Sequence, residues 1–433
     1  MHQLVLNQTG RDEKQVFNGK NISENKARSL AQMAWKRFKR NKLAMSGLIV
    51  IAISVFIFIA GYLITPDSTP DSNDQKPELQ IKPPGFSIRM LKIRKNEESH
   101  HVNWFMKMLF GQQSDYTFVT LYDYTFSGND IVVEEYTGNE PNRGTKMRYN
   151  LADVVYDINS NLPVKNDELK GTTEFYQYST NQKMTCTVAE LREDVEKHNI
   201  VTKKFILGTD RLGRDLLSRM LIGTRISLSV GFIAVVISLF IGVVLGAMAG
   251  YFRGWLDDVI MWIINVVWSI PTMLLVIAIT LVLGKGFWQV FVAVGLTMWV
   301  EVARIVRGQV MSLREKEFVE AGRALGYKNS RLIRKHVLPN VMGPVIVISA
   351  SNFANAILTE AGLSFLGIGA QPPMASWGKM INDHRPFIFT PDAFYLAFIP
   401  GIAIMLLVLA FMLVGNGLRD AIDSKTVEQT HVV

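Results

Sequence analysis

Six apolar runs divide this chain, at about 44–64, 226–250, 260–283, 287–305, 341–359 and 394–414. Each is close to the roughly 20 residues that a helix needs to cross a bilayer, and each predicts a membrane-spanning helix. The fourth carries Glu301 and Arg304, so its cytoplasmic end is expected to project into water, where ionisable side chains are tolerated. Between the first and second runs the pattern changes. Residues 65–205 are soluble in character, and Thr117–Phe126 and Ile131–Tyr136 are rich in β-branched and aromatic residues. Ser127-Gly128-Asn129-Asp130 joins those two stretches as a hairpin signal. Thr187 and Glu190 form a capping-box pattern that predicts a short helix to about His198. About 140 residues are enough for one modest core, so the expected architecture is an all-α polytopic membrane protein of six transmembrane helices with a small α+β insertion.

Charge supplies an orientation. Lys36, Arg37, Lys39, Arg40 and Lys42 abut the first run, which places residues 1–43 in the cytoplasm, and six spans then return the C-terminus, with its tail 425–433, to the same side. The polar region after the fourth run lies inside by the same count, and its many Arg and Lys residues agree. The insertion, with 21 acidic against 17 basic residues, is mildly acidic and falls outside. Arg211, Arg214, Arg219 and Arg225 disagree, since they precede the second run on the outer side. Long translocated segments largely escape the rule, so the assignment stands. The first run follows a polar N-terminal region of about 40 residues without a cleavable signal pattern and is expected to remain as an anchor. The formal charge of +8 therefore reflects topology, and nucleic-acid binding is a poor reading of it.

The polar island after the fourth run is Glu317 to Asn340. Phe318 to Leu325 suits a short helix with small residues Ala321, Gly322 and Ala324, and Gly326 suits the left-handed residue that ends it. Ser330 suits an N-cap for a second helix carrying Leu332, Ile333 and His336, which Pro339 would break. The local pattern is equally that of a knob offered to a partner backbone and of an ordinary solvated loop.

The island resembles the EAA loop of binding-protein-dependent ABC importer permeases, whose pattern is Glu-Ala-Ala, three residues, Gly, nine residues, Ile, one residue, Leu-Pro. Glu320, Ala321, Gly326, Leu338 and Pro339 fall on that register, while Gly322 and His336 replace an Ala and the Ile, as in the peptide and nickel subgroup. Further signatures of that subgroup follow in order: Leu207-Gly208-Thr209-Asp210 with Gly213-Arg214-Asp215, then Glu360 to Gly367, then Ser376-Trp377-Gly378, then Gly415 to Ala421. The resemblance covers about 30–64 and 205–424. It implies a type I importer permease fold with a core at 206–424 and a cytoplasmic coupling loop at 311–340. It implies a C-type subunit in the bacterial plasma (inner) membrane, paired with a B-type permease in a heterodimeric pore. Two cytoplasmic ABC ATPase subunits and an extracytoplasmic solute-binding protein complete the implied assembly. The implied cargo is a di- or oligopeptide, with nickel or another small solute as the alternative. Within the loop, Glu320 would orient a docked helix, Ala321 and Gly322 would allow close approach to the ATPase, and Gly326 would set the turn.

Other candidates come from the residues themselves. Gly242, Gly246 and Gly250 recur every four residues and put a small-residue face on the second span, suited to close helix packing. Pro271 in the third span permits a kink, either a hinge, a pore lining or a static bend. Glu360, at the outer end of the fifth span, is expected to line a pathway or to meet interfacial water. No Gly-x-x-x-x-Gly-Lys-Ser/Thr stretch occurs, so hydrolysis of ATP is expected from partner subunits and no catalytic role from this chain. No cofactor or metal is expected: His100 and His101 lack a companion at ligand spacing, and Cys186, the only cysteine, excludes an internal disulfide. A passive channel, a secondary transporter and an exporter remain rival classes; flux without nucleotide would mark the first two. The insertion could dock a binding protein, contact the partner permease, shield the pore entrance, or be an elaboration of little consequence.

Overall fold

The computed structural model describes residues 30–98, 102–140, 142–167, 170–284 and 286–422, so His100 and His101 lie outside the described residues, as do 1–29 and 423–433. Helix α1 (Leu30–Arg40) carries the basic cluster and meets α2 (Lys42–Ala60) at Asn41, whose Oδ1 accepts a hydrogen bond from the Ala44 N–H at 3.1 Å. A 3₁₀ turn extends this first apolar helix to Leu63.

The insertion then builds a five-stranded antiparallel sheet in the order β4-β3-β2-β1-β8. Its strands are β1 (Phe86–Arg94), β2 (Tyr116–Ser127), β3 (Asp130–Glu135), β4 (Lys146–Asn150) and β8 (Ile200–Phe205). The hairpin signal closes β2 onto β3, pairing Ser127 with Asp130. A second, three-stranded sheet holds β5 (Lys165–Asp167), β6 (Thr172–Tyr176) and β7 (Lys183–Thr187). Short helices α3 (Trp104–Phe110), α4 (Leu151–Val155) and α5 (Val188–Asp194) complete it. Leu91, Leu121, Ile131, Val133, Leu151, Phe175 and Leu191 form its core. Both bonds of the capping box are made at Thr187 and Glu190, and the expected helix ends at Asp194, continuing as a π turn through Asn199. Lys82 fastens this unit to the helices: its N–H donates to Thr209 Oγ1 at 2.8 Å and its carbonyl accepts from the Tyr395 hydroxyl at 2.6 Å.

Helix α6 (Leu216–Phe252) runs 37 residues and starts well before the apolar run, because Asp215 caps it through the Ser218 N–H at 3.0 Å and its early arginines are paired internally. The third run departs from the expected single helix. It is broken into α7 (Trp255–Ser269) and α8 (Thr272–Leu283), bent by 94°. Pro271 cannot donate, and its ring pushes Ile270 out of the helical region to φ −92°, ψ 128°. Among the described residues five helices are long and apolar enough to cross a membrane, and this bent pair makes six if counted as one span.

Helix α9 (Phe287–Arg314) packs along α6. Gly242, Gly246 and Gly250 let the two backbones meet: a Cβ there would lie 2.6 Å from Val302 Cβ, 2.5 Å from the Ala303 carbonyl oxygen and 2.6 Å from the Arg307 carbonyl oxygen. The Arg307 guanidinium grips Asp257 of α7 through two bonds of 2.6 Å. The chain continues through α10 (Glu317–Ala324), α11 (Asn329–Leu332), a π turn (Ile333–Val337) and α12 (Leu338–Phe365), then α13 (Trp377–His384) and α14 (Tyr395–Ile422).

Pro339 does not break the island's second helix. It sits in the first turn of α12, where a missing N–H is tolerated, and the π turn before it, in which the Leu338 N–H reaches back to the Ile333 carbonyl, takes up the change of register. Asn329 to Phe365 is thus one continuous 37-residue helical element.

Candidate functional site

The island folds as a two-helix knob. Lys316 is extended, and the acidic Glu317 and Glu320 occupy the first turn of α10, where the helix dipole favours negative charge. Gly326, at φ +75°, ends the helix in a Schellman arrangement: the Tyr327 N–H reaches the Gly322 carbonyl at 3.1 Å and the Gly326 N–H the Arg323 carbonyl at 2.9 Å. The second helix starts after Lys328 and not at Ser330; the Lys328 carbonyl accepts from the N–H groups of Arg331 and Leu332 at 2.9 and 3.1 Å, leaving Ser330 exposed inside the first turn.

Val319, Leu332 and Val337 are buried beneath the knob against Tyr251, Val306 and Val310. The Tyr251 hydroxyl donates to Asn329 Oδ1 at 3.0 Å. Gly322 belongs to this inner face: a Cβ on it would lie 2.6 Å from Leu332 Cδ2, so its small size serves the knob's own packing and not a partner's approach. The His336 ring stacks on Tyr327 at 6.0 Å, and the Arg331 guanidinium lies 4.2 Å from the Tyr327 ring centre. Leu338 is half-buried and Pro339 exposed. Glu320, Ala321, Arg323 and Ala324 face outward, together with Phe318 and Leu325, which are 43% and 70% exposed. Phe318 and Leu325 were missed in the sequence, although their spacing of seven puts them on one helical face.

A second cluster lies where the insertion meets α6. Asp210 Oδ2 accepts from Arg214 at 2.7 Å and lies 3.8 Å from Arg219 Nε, while its Oδ1 accepts from the Leu212 and Arg214 N–H groups at 2.8 and 3.0 Å. Arg211 pairs with Asp383 at 3.5 Å. Arg225 donates to the carbonyls of Phe58, Ile59, Met108 and Leu109. All four arginines that oppose the charge rule are therefore engaged within the fold.

His384, buried beside this cluster, donates from Nδ1 to the Met380 carbonyl at 2.7 Å and accepts at Nε2 from the Arg211 N–H at 3.4 Å, which fits the neutral ring. Burial holds its pKa below the ordinary 6.5, against the opposing pull of the Met380 carbonyl, Asp210 and Asp383. The unfolded chain then binds the extra proton first, so stability is full above about pH 6.5 and falls as the pH drops towards the folded value. Melting temperatures measured from about pH 7.5 down to 5.5 should decline, and less so in His384→Gln; identical slopes would show that His384 contributes nothing.

Glu360 departs from expectation. It is 2% exposed, and its Oε1 accepts from the hydroxyls of Ser364 at 2.6 Å and Ser376 at 2.7 Å, joining α12 to the start of α13. The carboxyl is thus closed off from solvent inside the protein, with its Oε2 left without a hydrogen-bond partner among the described residues. A cavity of about 590 Å³ lies elsewhere, between the corner at Pro271 and helices α9 and α12. Trp268, Thr272, Glu301, Arg304, Asn352 and Asn355 contribute to its wall. The Arg304 guanidinium lies 3.7 Å from the Trp268 ring centre, and the buried Asn352 has an amide nitrogen without a hydrogen-bond partner. The charges of the fourth run thus line a cavity instead of marking a helix end, and Asn352 and Asn355, polar positions within an apolar run, were the signal for the rest.

Residues 242–428 match the family described as binding-protein-dependent transport system inner membrane component, and residues 29–84 match the N-terminal TM domain of oligopeptide transport permease C. The dipeptide transport system permease protein DppC of Alkalihalophilus pseudofirmus is 45% identical over 218 residues, 50% of this chain and 71% of the relative. The chain belongs to the peptide-transport family of ABC importer permeases.

This permease is also 43% identical over 220 residues to the glutathione transport system permease protein GsiD of Pectobacterium atrosepticum, covering 51% of the chain and 72% of the relative. It is 42% identical over 225 residues to the oligopeptide transport system permease protein OppC of Bacillus subtilis, covering 52% and 73%. The family match contains the island, the α12 cavity wall and Glu360. The second match stops at residue 84, just before β1, so the sheets of the insertion lie outside both.

Proposed function

We propose that this permease is the C-type half of the pore of an ATP-driven importer of di- or oligopeptides, paired with a B-type permease, two cytoplasmic ATPases and an extracytoplasmic binding protein. Its identity to the dipeptide permease over most of that relative's length carries the reading. In this reading the termini and the island are cytoplasmic, the insertion is extracytoplasmic, and the membrane is the bacterial plasma (inner) membrane. Glu320 and Ala321 present the docking face to an ATPase groove, flanked by Phe318 and Leu325, while Gly322, Gly326 and His336 hold that face in shape.

The continuity of Asn329 to Phe365 supports a direct mechanical route. Closure of the ATPase dimer moves the island, and the same helical element carries Asn352, Asn355 and Thr359 of the cavity wall, so the wall moves with the knob. ATP shifts a two-state pore only through a difference in grip between its states, and the outward face of α10 is where that difference is read. The cavity between the Pro271 corner, α9 and α12 is half of the path, with Glu301 and Arg304 placing opposite charges beside a zwitterionic cargo.

Uptake of labelled peptides into proteoliposomes holding the complete complex is the test. ATP-dependent, binding-protein-dependent accumulation of a di- or oligopeptide is expected. Accumulation of chelated nickel in place of peptide would move the permease to the metal branch, and peptide flux without nucleotide would replace the reading with a passive or secondary carrier.

A further inference from the structure

Helix α3 (Trp104–Phe110) is short and, among the residues of the insertion, unusually apolar on the outside. Phe105, Met106, Leu109 and Phe110 fall on one face at i, i+1, i+4 and i+5, and all four are exposed, as is Trp104. Lys107 and Met108, on the opposite side, are half-buried. An exposed apolar strip of this kind in a polar domain marks a surface that something covers.

The contacts of α3 say what covers it. The Arg225 guanidinium donates to the Met108 and Leu109 carbonyls at 2.6 Å each, and also to the Phe58 carbonyl at 2.9 Å and the Ile59 carbonyl at 3.4 Å. One side chain thus ties the last turn of α3 to the last turn of the first membrane span. Gly111, at φ +75°, closes the junction: a Cβ there would lie 2.7 Å from the Ser68 carbonyl oxygen and 3.2 Å from the Tyr62 ring, so the end of α3 is seated on the turn that finishes that span. The depth of α3 is therefore that of the end of α2, where Phe56, Ile59 and Leu63 are themselves exposed and apolar. The apolar strip of α3 continues the apolar surface of the span.

We propose that α3 lies in the bilayer interface at the end of α2, with Phe105, Met106, Leu109 and Phe110 in the acyl-chain boundary and Trp104 at headgroup level, anchoring the insertion to the membrane surface. Aromatic and aliphatic side chains on one face and a basic residue on the other suit that layer. The anchor adds a lipid contact to the ties that Lys82 and Arg225 already make between the insertion and the helices.

Spin labels placed singly at Phe105→Cys, Leu109→Cys and Phe110→Cys in a Cys186→Ala background, with Lys170→Cys as the exposed comparator, test this in nanodiscs. The complex is the complete one, with reactive cysteines removed from the partner subunits. Collisions with dissolved oxygen, which concentrates in lipid, should exceed collisions with a water-soluble nickel chelate at the three α3 positions, and the order should reverse at position 170. Free access of the nickel chelate at all three α3 positions would place the helix in water and overturn the proposal. Low access of both reagents there would place it under a protein partner and overturn it equally.

Discussion

Glu320→Lys is expected to cut nucleotide-driven uptake severely while leaving the permease folded and in the membrane. The Glu320 side chain faces outward in the first turn of α10 and lies apart from the buried face that holds the knob together. Surface changes away from buried features usually stay within about 0.5 kcal/mol of stability, so a melting curve close to wild type is expected. Docking is another matter. Reversal of a charge inside a desolvated contact typically costs about 2–5 kcal/mol, and each 1.4 kcal/mol is about tenfold. Uptake should fall by at least about tenfold, while ATP hydrolysis by the assembled complex should lose its dependence on the loaded binding protein. Wild-type uptake in this variant would remove the island from the coupling route. Ala321→Leu, on the same outward face, should fail in the same way; Gly322→Leu should fail through loss of fold, because Leu332 occupies the space its side chain would need.

The largest stability effect is expected at Asp210. Its carboxylate is 1% exposed and is shared between Arg214 and Arg219, whose side chains are almost as deeply buried. Asp210→Ala leaves two buried guanidinium groups without their anion and two loop N–H groups without their acceptor. Breaking a buried pair from one side costs about 3–5 kcal/mol, and here the loss also frees the loop that carries the insertion into α6. Thermal unfolding of the purified permease, or its steady amount in the membrane, should show the loss. Arg211→Ala serves as the comparison, because its pair with Asp383 is 3.5 Å long and its side chain is about half exposed. An open pair of that kind is worth about 0–1 kcal/mol. Equal losses in the two variants would mean that the buried cluster holds nothing special.

The same cluster explains why counting charges along the chain produces an internal conflict. Arg211, Arg214, Arg219 and Arg225 look like four free positive charges on the outer side of the second span. In the fold, Arg214 and Arg219 share the single carboxylate of Asp210, Arg211 shares Asp383 with Lys379, and Arg225 is held by backbone carbonyls, so all four are fixed in place and their charge is offset in part. A charge partly offset at short range contributes less to orientation than a bare one, and counting along the chain has no access to that offset.

The three glycines of α6 and the proline at 271 show how far local chemistry reaches. A four-residue repeat of glycine is a property of the sequence, and it was enough to mark a packing face; that the partner is α9, with Val302, Ala303 and Arg307 in the contact, required the fold. Pro271 announced a distortion because of its ring and missing N–H. The size of the distortion, 94°, depends on how α7 and α8 pack against α9, and so was not legible. Pro339 misled for a related reason: a proline disturbs a helix through its missing N–H and its clash with the carbonyl one turn earlier, and the π turn at Ile333–Val337 shifts that register.

By itself the sequence determined that this is a polytopic membrane protein with an α+β insertion, and it marked the island and the order of its motifs, since apolar run length, hairpin and capping signals and fixed spacing are all local quantities. The tertiary structure decided which side of the island faces outward, that Glu360 is a buried link to Ser376, that Glu301 and Arg304 line a cavity, and that α3 sits level with the end of the first span. Each of these is set by contacts between segments far apart in the chain, where the position of one residue is fixed by what another element leaves room for.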